Sequence, residues 1–489
     1  MPRSARRPRV LHAAAELFPW VKTGGLGDVM AALPPALLAV GVDARLVVPG
    51  YPALIDALPL TEVARLQSPF ALERVRLCLA RLPDSGVRLY VIDHAAFYDR
   101  PGSAYADPAG HDWGDNHRRF ALLGWVAAAL GQGADPGWRA DIVHGHDWHA
   151  GLAPAYLKAA GAATPSVFTV HNLAYQGYFW PGAFAELALP PAFFSMYGVE
   201  YNGGVSFLKA GLYYADRLTT VSPTYAQEIQ TPTYGMNLDG LLLARSSVLR
   251  GMLNGVDARI WAPESDTALP QTYSPEDAPA GKAAAKAALQ RQLGLAEEPE
   301  APLFGMVTRL TWQKGFDLLL AAVPGMVGFG AQLAVLGTGD GDLERGIAGA
   351  ALAHPGRVGV MLAYAEELAH LIIAGSDGVL VPSRFEPCGL TQLYALRYGA
   401  LPVVRRTGGL ADTVMDTNAV TLADETATGF VFEGESGEAL LGAVQRAVAL
   451  YPEKASWHKV MRQAMTRDFS WESSARQYLA LYRELVPPA

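Results

Sequence analysis

Cysteine is almost absent from this chain of 489 residues, which has only Cys78 and Cys388. Two thiols so far apart argue against a disulfide framework and for a reducing compartment, so the cytoplasm is the expected setting. Long apolar runs are also missing. No stretch is long enough to span a bilayer, so no membrane partner is expected. No signal-peptide core precedes the first strand, and the arginine-rich start, Met1 to Pro8, reads as a ragged basic end. Positive charge is in deficit, with a net charge of -8. That argues against a nucleic-acid partner held by phosphate attraction, but not against a nucleotide at a local basic site. Three signatures are absent: a P-loop, a His-Glu-x-x-His pattern and a full dinucleotide fingerprint. Gly337-Thr-Gly-Asp-Gly341 lacks the third glycine of that fingerprint and reads as a tight turn.

What is present is a repeating alternation of apolar strands and amphipathic helices, rich in glycine, which defines an α/β class. The first strand is expected at Arg9–Ala15, followed by the glycine-rich loop Lys22–Asp28, a helix over Val29–Val40 and a strand over Asp43–Val48. The loop offers backbone N–H groups and one ammonium, from Lys22. It reads either as an anion cradle or as a tight turn with an exposed lysine. Further strands are expected at Arg88–Asp93, Asp141–His146, Pro165–Asn172, Arg217–Ser222 and Val248–Leu253, with a helix over Asp115–Leu130. A polar, proline-rich stretch then follows, and the hinge between two domains is placed at 250–265.

The pattern restarts with a helix over Lys282–Leu293 and a strand over Pro302–Arg309. Arg309 and Lys314 lie five residues apart at that strand end, a costly pair to leave in a cleft without an anion, unless both are solvated surface charges. Strands follow at Ala331–Gly337 and Val358–Tyr364, the latter ending on an aromatic ring against which a base could stack. Gly378–Ser383 is another buried strand. The turn after it carries Glu386, and a helix is expected to begin near Gly389. Leu401–Arg406 and Thr407-Gly-Gly repeat the arrangement. In open α/β sheets ligands bind at such strand C-terminal ends. The last helix is expected at Trp471–Leu485.

His144, His146, His149, His171 and Asp147 gather in one stretch, but no closing cysteine or paired motif gives them zinc-site spacing. They are read as cleft-lining or packed groups, and no metal is expected. Between Tyr175 and Tyr214 lie Tyr178, Phe179, Trp180, Phe193, Phe194, Tyr197 and Tyr201. These rings suit the C–H faces of sugars, or else form a hydrophobic cover. Tyr234–Gly240 reads as a further mobile loop.

The motifs Lys-Thr-Gly-Gly-Leu-Gly-Asp at 22–28, His-Asp-Trp-His at 146–149, Val-His-Asn-Leu-Ala-Tyr-Gln-Gly at 170–177, Arg-Leu-Thr-x-Gln-Lys-Gly at 309–315 and Phe-Glu-Pro-Cys-Gly-Leu-Thr-Gln-Leu-Tyr at 385–394 together resemble bacterial glycogen synthases and plant starch synthases. The resemblance implies a GT-B type fold of two Rossmann-like domains facing a central cleft. An acceptor-side domain would span 1–255 and a nucleotide-sugar domain 256–489, with the helix at about 471–485 packing back on the first. It implies retaining transfer of glucose from ADP-glucose to the non-reducing end of an α-1,4-glucan such as glycogen, without a cofactor. UDP-glucose as donor, or a silent glucan-binding protein, are the alternatives. Lys22, Asp147, His171, Arg309, Lys314 and Glu386 would carry the reaction. Arg309, Lys314, Lys22, the Gly24 and Gly25 amides, Leu390 and Thr391 would hold the diphosphate. Asp28, Asn172, Cys388 and Gly389 would complete the donor site, Glu386 would bind glucose hydroxyls, and Tyr364 would stack on adenine. Many related retaining transferases carry a second glutamate eight residues after the first. Here that position is Tyr394, a departure that glycogen and starch synthases share.

Overall fold

The computed structural model describes residues 7–70 and 73–486, and every count below is of these. Most of the basic start, residues 1–6, lies outside the described residues. The chain divides into two compact units. One runs to Gly255 and takes in the chain from Trp471 onward, and the other is Val256–Ser470.

The strands of the first unit are β1 (Arg9–Ala13), β2 (Asp43–Pro49), β3 (Thr61–Leu66), β4 (Val75–Arg81), β5 (Arg88–Asp93), β6 (Ile142–His146), β7 (Ser166–Val170), β8 (Tyr178–Phe179), β9 (Glu200–Tyr201), β10 (Gly204–Ser206), β11 (Arg217–Thr220) and β12 (Leu249–Gly251). Nine of them form one sheet in the order β12-β11-β7-β6-β1-β2-β5-β4-β3. The pairs from β12 to β5 are parallel, and β4 and β3 close the edge in antiparallel sense. The inner strands are buried at nearly every position, as parallel strands are, although His12, Arg45, His144 and His146 interrupt their apolar runs. In β4, Val75 and Leu77 are buried while Arg76 and Arg81 are exposed, the alternation of a strand with one wet face. β8, β10 and β9 form a separate small antiparallel sheet inside the aromatic insertion.

The second unit holds β13 (Leu303–Val307), β14 (Gln332–Leu336), β15 (Val358–Met361), β16 (Gly378–Val381), β17 (Leu401–Arg405) and β18 (Phe430–Phe432). All are parallel, in the order β15-β14-β13-β16-β17-β18. Counted from β13 this is 3-2-1-4-5-6, the doubly wound order, whose switch point falls between β13 and β16. In the first unit the order reverses between β1 and β6.

Several boundaries differ from the sequence expectation. The first long helix spans Gly25–Ala39, beginning inside the glycine-rich loop rather than at Val29. Leu26 is buried and Asp28 sits in the first turn, where a carboxylate favours the helix N-terminus. The helix expected near Gly389 starts at Thr391, because Gly389 takes a φ of 72° that a helix does not tolerate. β7 ends at Val170 and β15 at Met361, so His171, Asn172 and Tyr364 lie in the turns beyond. The last helix, Trp471–Leu485, packs on Gly25–Ala39, and its Trp471, Tyr478 and Tyr482 join the hydrophobic core around β1 and β2.

Candidate functional site

In the second unit the ends of β13 and β16 and the start of the helix Thr391–Arg397 line one pocket, to which Lys314 and Glu386 contribute. It sits at the switch point, where a doubly wound sheet binds its ligand. Lys314 Nζ lies 2.6 Å from Glu386 Oε2, and Ser383 donates its hydroxyl to the same oxygen at 2.8 Å. Two braces produce this meeting. Arg384 clamps Asp317 with both guanidinium nitrogens at 2.7 Å and donates to Trp312 O at 2.8 Å, tying the turn after β13 to the turn after β16. Gly315 has a φ of 66°, and a Cβ there would lie 2.1 Å from Pro382 O, so only glycine lets the turns approach so closely.

The second brace comes from Thr407-Gly-Gly. Gly409 N donates to the carbonyls of Glu386 and Pro387, at 3.0 and 3.2 Å. A Cβ on Gly408 would lie 2.0 Å from Glu386 O, and one on Gly409 2.0 Å from Cys388 O. Thr407-Gly-Gly therefore shapes the backbone that carries Glu386. Gln392 donates to the Cys388 and Gly389 carbonyls and fixes the rest of that turn. Cys388 is buried, and Leu390 and Thr391 face the same pocket. Arg309 is exposed in the turn after β13. Tyr364 is 75% exposed, and its hydroxyl donates to Glu366 at 2.5 Å.

In the first unit Lys22 Nζ pairs with Asp28 at 2.9 Å and lies over the Phe18 ring. The Gly24 amide, expected to face a phosphate, here has a partner within its own unit. Glu16, a buried carboxylate just past β1, accepts from Thr23 N at 2.8 Å and from Gly24 N at 3.2 Å, and Tyr105 OH donates to its other oxygen. Gly24 N thus donates to that carboxylate in this structure, and Gly25 opens the helix. Asp147 follows β6 directly, and its Oδ1 accepts from His171 N at 2.7 Å and Asn172 N at 3.4 Å. It is buried at a φ of 55°, outside the usual non-glycine regions, which is the kind of strain that gathers at functional sites. Burial pushes its carboxyl up to about 7 against the pull of those two amides. Asn172 uses its side-chain oxygen to accept from Ala174 N.

The histidines form a buried cluster that includes His12, which the sequence reading did not single out. Nitrogens of His12, His144 and His146 lie within 4.8 Å of one another. Those of His144 already engage Tyr482 OH and Thr169 Oγ1, and those of His146 engage His12 and His171, so a metal ion would displace hydrogen bonds here. His149 stacks instead on Tyr105. In the aromatic insertion Phe179, Phe193 and Phe194 pack on the core as a cover, while Tyr175, Tyr178, Trp180 and Tyr197 keep about half or more of their surface exposed. The loop at 234–240 is tied to the insertion, with Gln176 and Tyr201 both donating to Met236 O. Sequence reasoning missed Glu16, Tyr105 and Ser383. The signal for Ser383 was its place three residues before Glu386 at a strand end.

Two doubly wound units with polar side chains at their switch points define the class of GT-B glycosyltransferases. Sucrose-phosphate synthase of Thermosynechococcus elongatus shares this fold at 20% identity, with a TM-score of 0.59 over 98% of this chain and 99% of its own. Residues 9–244 match the starch synthase catalytic domain family, and residues 289–464 match glycosyl transferases group 1. A glycogen synthase of Francisella tularensis subsp. novicida is 52% identical over 98% of this chain and 99% of its own length. One from Francisella philomiragia is 51% identical over 98% of this chain and all of its own. The catalytic domain of starch synthase IV from Arabidopsis thaliana, solved bound to ADP and acarbose, superposes with a TM-score of 0.87 at 32% identity, covering 98% of this chain and 99% of that one. The chain belongs to the glycogen synthase and starch synthase family of glycosyltransferases. No helix among the described residues is long and apolar enough to cross a membrane.

Proposed function

We propose that this chain transfers glucose from ADP-glucose to the non-reducing end of an α-1,4-glucan, with retention at the anomeric carbon. The observation that carries the reading is the Lys314–Glu386 pair at the switch point of the second unit. Breaking a glycosyl–phosphate bond leaves negative charge on the departing ADP and positive charge on the sugar, so the site needs a cation for one and a carboxylate for the other. In this reading Lys314 leaves Glu386 for the diphosphate when donor binds, Glu386 turns to the glucose hydroxyls, and Ser383 keeps its hold on the carboxylate. Arg309 and Lys22 add positive charge, which makes a metal or other cofactor unnecessary. Gly25, Leu390 and Thr391 add backbone donors. Tyr364 offers its ring to adenine, and Asp147, His171 and Asn172 act at the transferred glucose, with Asp28, Cys388 and Gly389 shaping the site around the donor. Attack by the acceptor takes place on the face that ADP leaves, within an ion pair, and Glu386 grips the sugar instead of attacking it. Two buried free cysteines suit a reducing cytoplasm.

The test is incorporation of labelled glucose into glycogen, with ADP-glucose and UDP-glucose compared at equal concentration. Incorporation from ADP-glucose is expected to dominate, and Lys314→Ala is expected to lower kcat by at least about 10²-fold, the scale for losing one charge-stabilising group. A preference for UDP-glucose, or glycogen binding without incorporation, overturns the reading. A near-normal rate in the alanine variant removes the role given to Lys314.

A further inference from the structure

The parallel register sets His12 opposite His144 and His146 opposite Thr169. With the two-residue period of a strand, His12, His144, His146 and then His171, two residues beyond Thr169, fall on one face of the sheet. Three of the rings form a row. His12 Nδ1 lies 3.0 Å from His146 Nε2, and His146 Nδ1 lies 3.0 Å from His171 Nε2. His144 stacks on His146 with ring centres 4.2 Å apart but stands outside the row, because both of its nitrogens are taken by Tyr482 OH at 2.8 Å and Thr169 Oγ1 at 2.6 Å.

Burial keeps the three rings of the row neutral: it pulls His12 and His171 down to about 3, and it is the main cause holding His146 well below its ordinary range. A neutral imidazole has one N–H and one lone pair. Two hydrogen bonds in series therefore allow only two arrangements, with every proton on Nδ1 or every proton on Nε2. The inner end of the row decides between them. His12 Nε2 is buried without a hydrogen-bond partner. A buried N–H left unpaired is rarer than an acceptor left short, so Nε2 carries the lone pair and the proton sits on Nδ1. His12 then donates to His146, His146 donates to His171, and His171 is left with an N–H on Nδ1.

We propose that His12 and His146 are positioning residues that fix His171 in its Nδ1–H tautomer, so that it offers a hydrogen-bond donor to an oxygen of the transferred sugar. The proposal rests on the placement of His171 at the donor glucose given above. It has a chemical consequence. Held this way, His171 has no free lone pair on Nδ1 and cannot take a proton from the acceptor hydroxyl. The opposite arrangement would make it a base.

The test uses the full chain labelled with 15N-histidine. Long-range 1H–15N correlation spectra read the tautomer of each ring, with assignments from single His→Gln substitutions. Nδ1–H is expected at His12, His146 and His171, and Nε2–H at His146 or His171 overturns the proposal. His12→Asn keeps an amide donor near the Nδ1 position and should leave His171 as Nδ1–H. His12→Leu leaves His146 Nε2 without a donor and should give a mixture of tautomers at His171. An unchanged His171 in the leucine variant overturns the role of His12. Should that variant fail to fold, the spectra of the wild type and the asparagine variant decide. The readout requires no glucosyl transfer, so failure of the donor reading and failure of the tautomer row are told apart.

Discussion

Asp147 combines three unusual properties: it is buried, it has a positive φ, and its one oxygen Oδ1 holds the amides of His171 and Asn172. Burial raises its carboxyl from an ordinary 3.8 to about 7. The folded chain thus binds this proton more tightly than the unfolded chain does. The associated stability is fully present below the ordinary carboxylate value and is lost as pH rises through about 7. Asp147→Asn keeps an Oδ1 acceptor for both amides and removes the titration. Its stability relative to the wild type is expected to rise by about 1.4 kcal/mol per pH unit between roughly pH 5 and 7 and to level off above that. Urea denaturation of both proteins at unit pH steps measures the difference, and a difference that does not change with pH would sink the argument.

Most parallel strands were legible in the sequence because a strand buried on both faces is largely apolar, and β1, β6, β13 and β16 fall within two residues of expectation, whereas the three-residue parallel strand β18 was not foreseen. The edge pair β3 and β4 was not, since its signal is a brief alternation on a half-wet strand. Nor were β8, β9 and β10, which are too short to show any period. The same division holds at the site. Lys314, Glu386, Asp147 and His171 could be singled out by their position at strand ends. Their partners could not, because contact is made across long separations: Tyr105 to Glu16 over 89 residues, and His12 to His146 over 134. Tyr394 is the clearest case. The resemblance places it where many retaining transferases outside the glycogen and starch synthases carry a glutamate, and in this fold the position holds a packed ring. Its ring stacks on Trp261 at 3.9 Å and 6°, while His370 stacks on the other face at 3.8 Å and 12°. Trp261 is 8% exposed and joins the segment after Gly255 to two helices of the second unit. Trp261→Ala is expected to destabilise that unit by about 3–5 kcal/mol, the range for removing a buried large aromatic. A loss under about 1 kcal/mol in chemical denaturation would mean that the stack is incidental.

At the scale of the whole molecule, the first unit is built from two separate pieces of chain, and its last helix is part of its core. Trp471, Tyr478, Leu479, Leu481 and Tyr482 are all buried there, and Tyr482 OH also engages His144. At roughly 1.5–3 kcal/mol for each such side chain, their burial is worth about 10 kcal/mol, comparable to the roughly 5–15 kcal/mol net stability of a whole domain. A chain ending at Ser470 is therefore expected to lose the first unit while the second, which is continuous from Val256 to Ser470, stays folded. Gly255 and Trp471 are drawn together by bonds on either side of them. Ser474 Oγ donates to Leu253 O at 2.6 Å within the first unit, and Val256 N donates to Phe469 O at 2.8 Å within the second. Joining Gly255 to Trp471 through a short glycine–serine linker, with residues 256–470 removed, should then restore a folded first unit. Limited proteolysis and near-UV circular dichroism distinguish the outcomes. The truncated chain should yield a resistant fragment only from residues 256–470, and the joined chain should show a single cooperative unfolding transition. A first unit that stays protease-resistant without the last helix would show that β1 and β2 hold their core without Tyr478 and Tyr482.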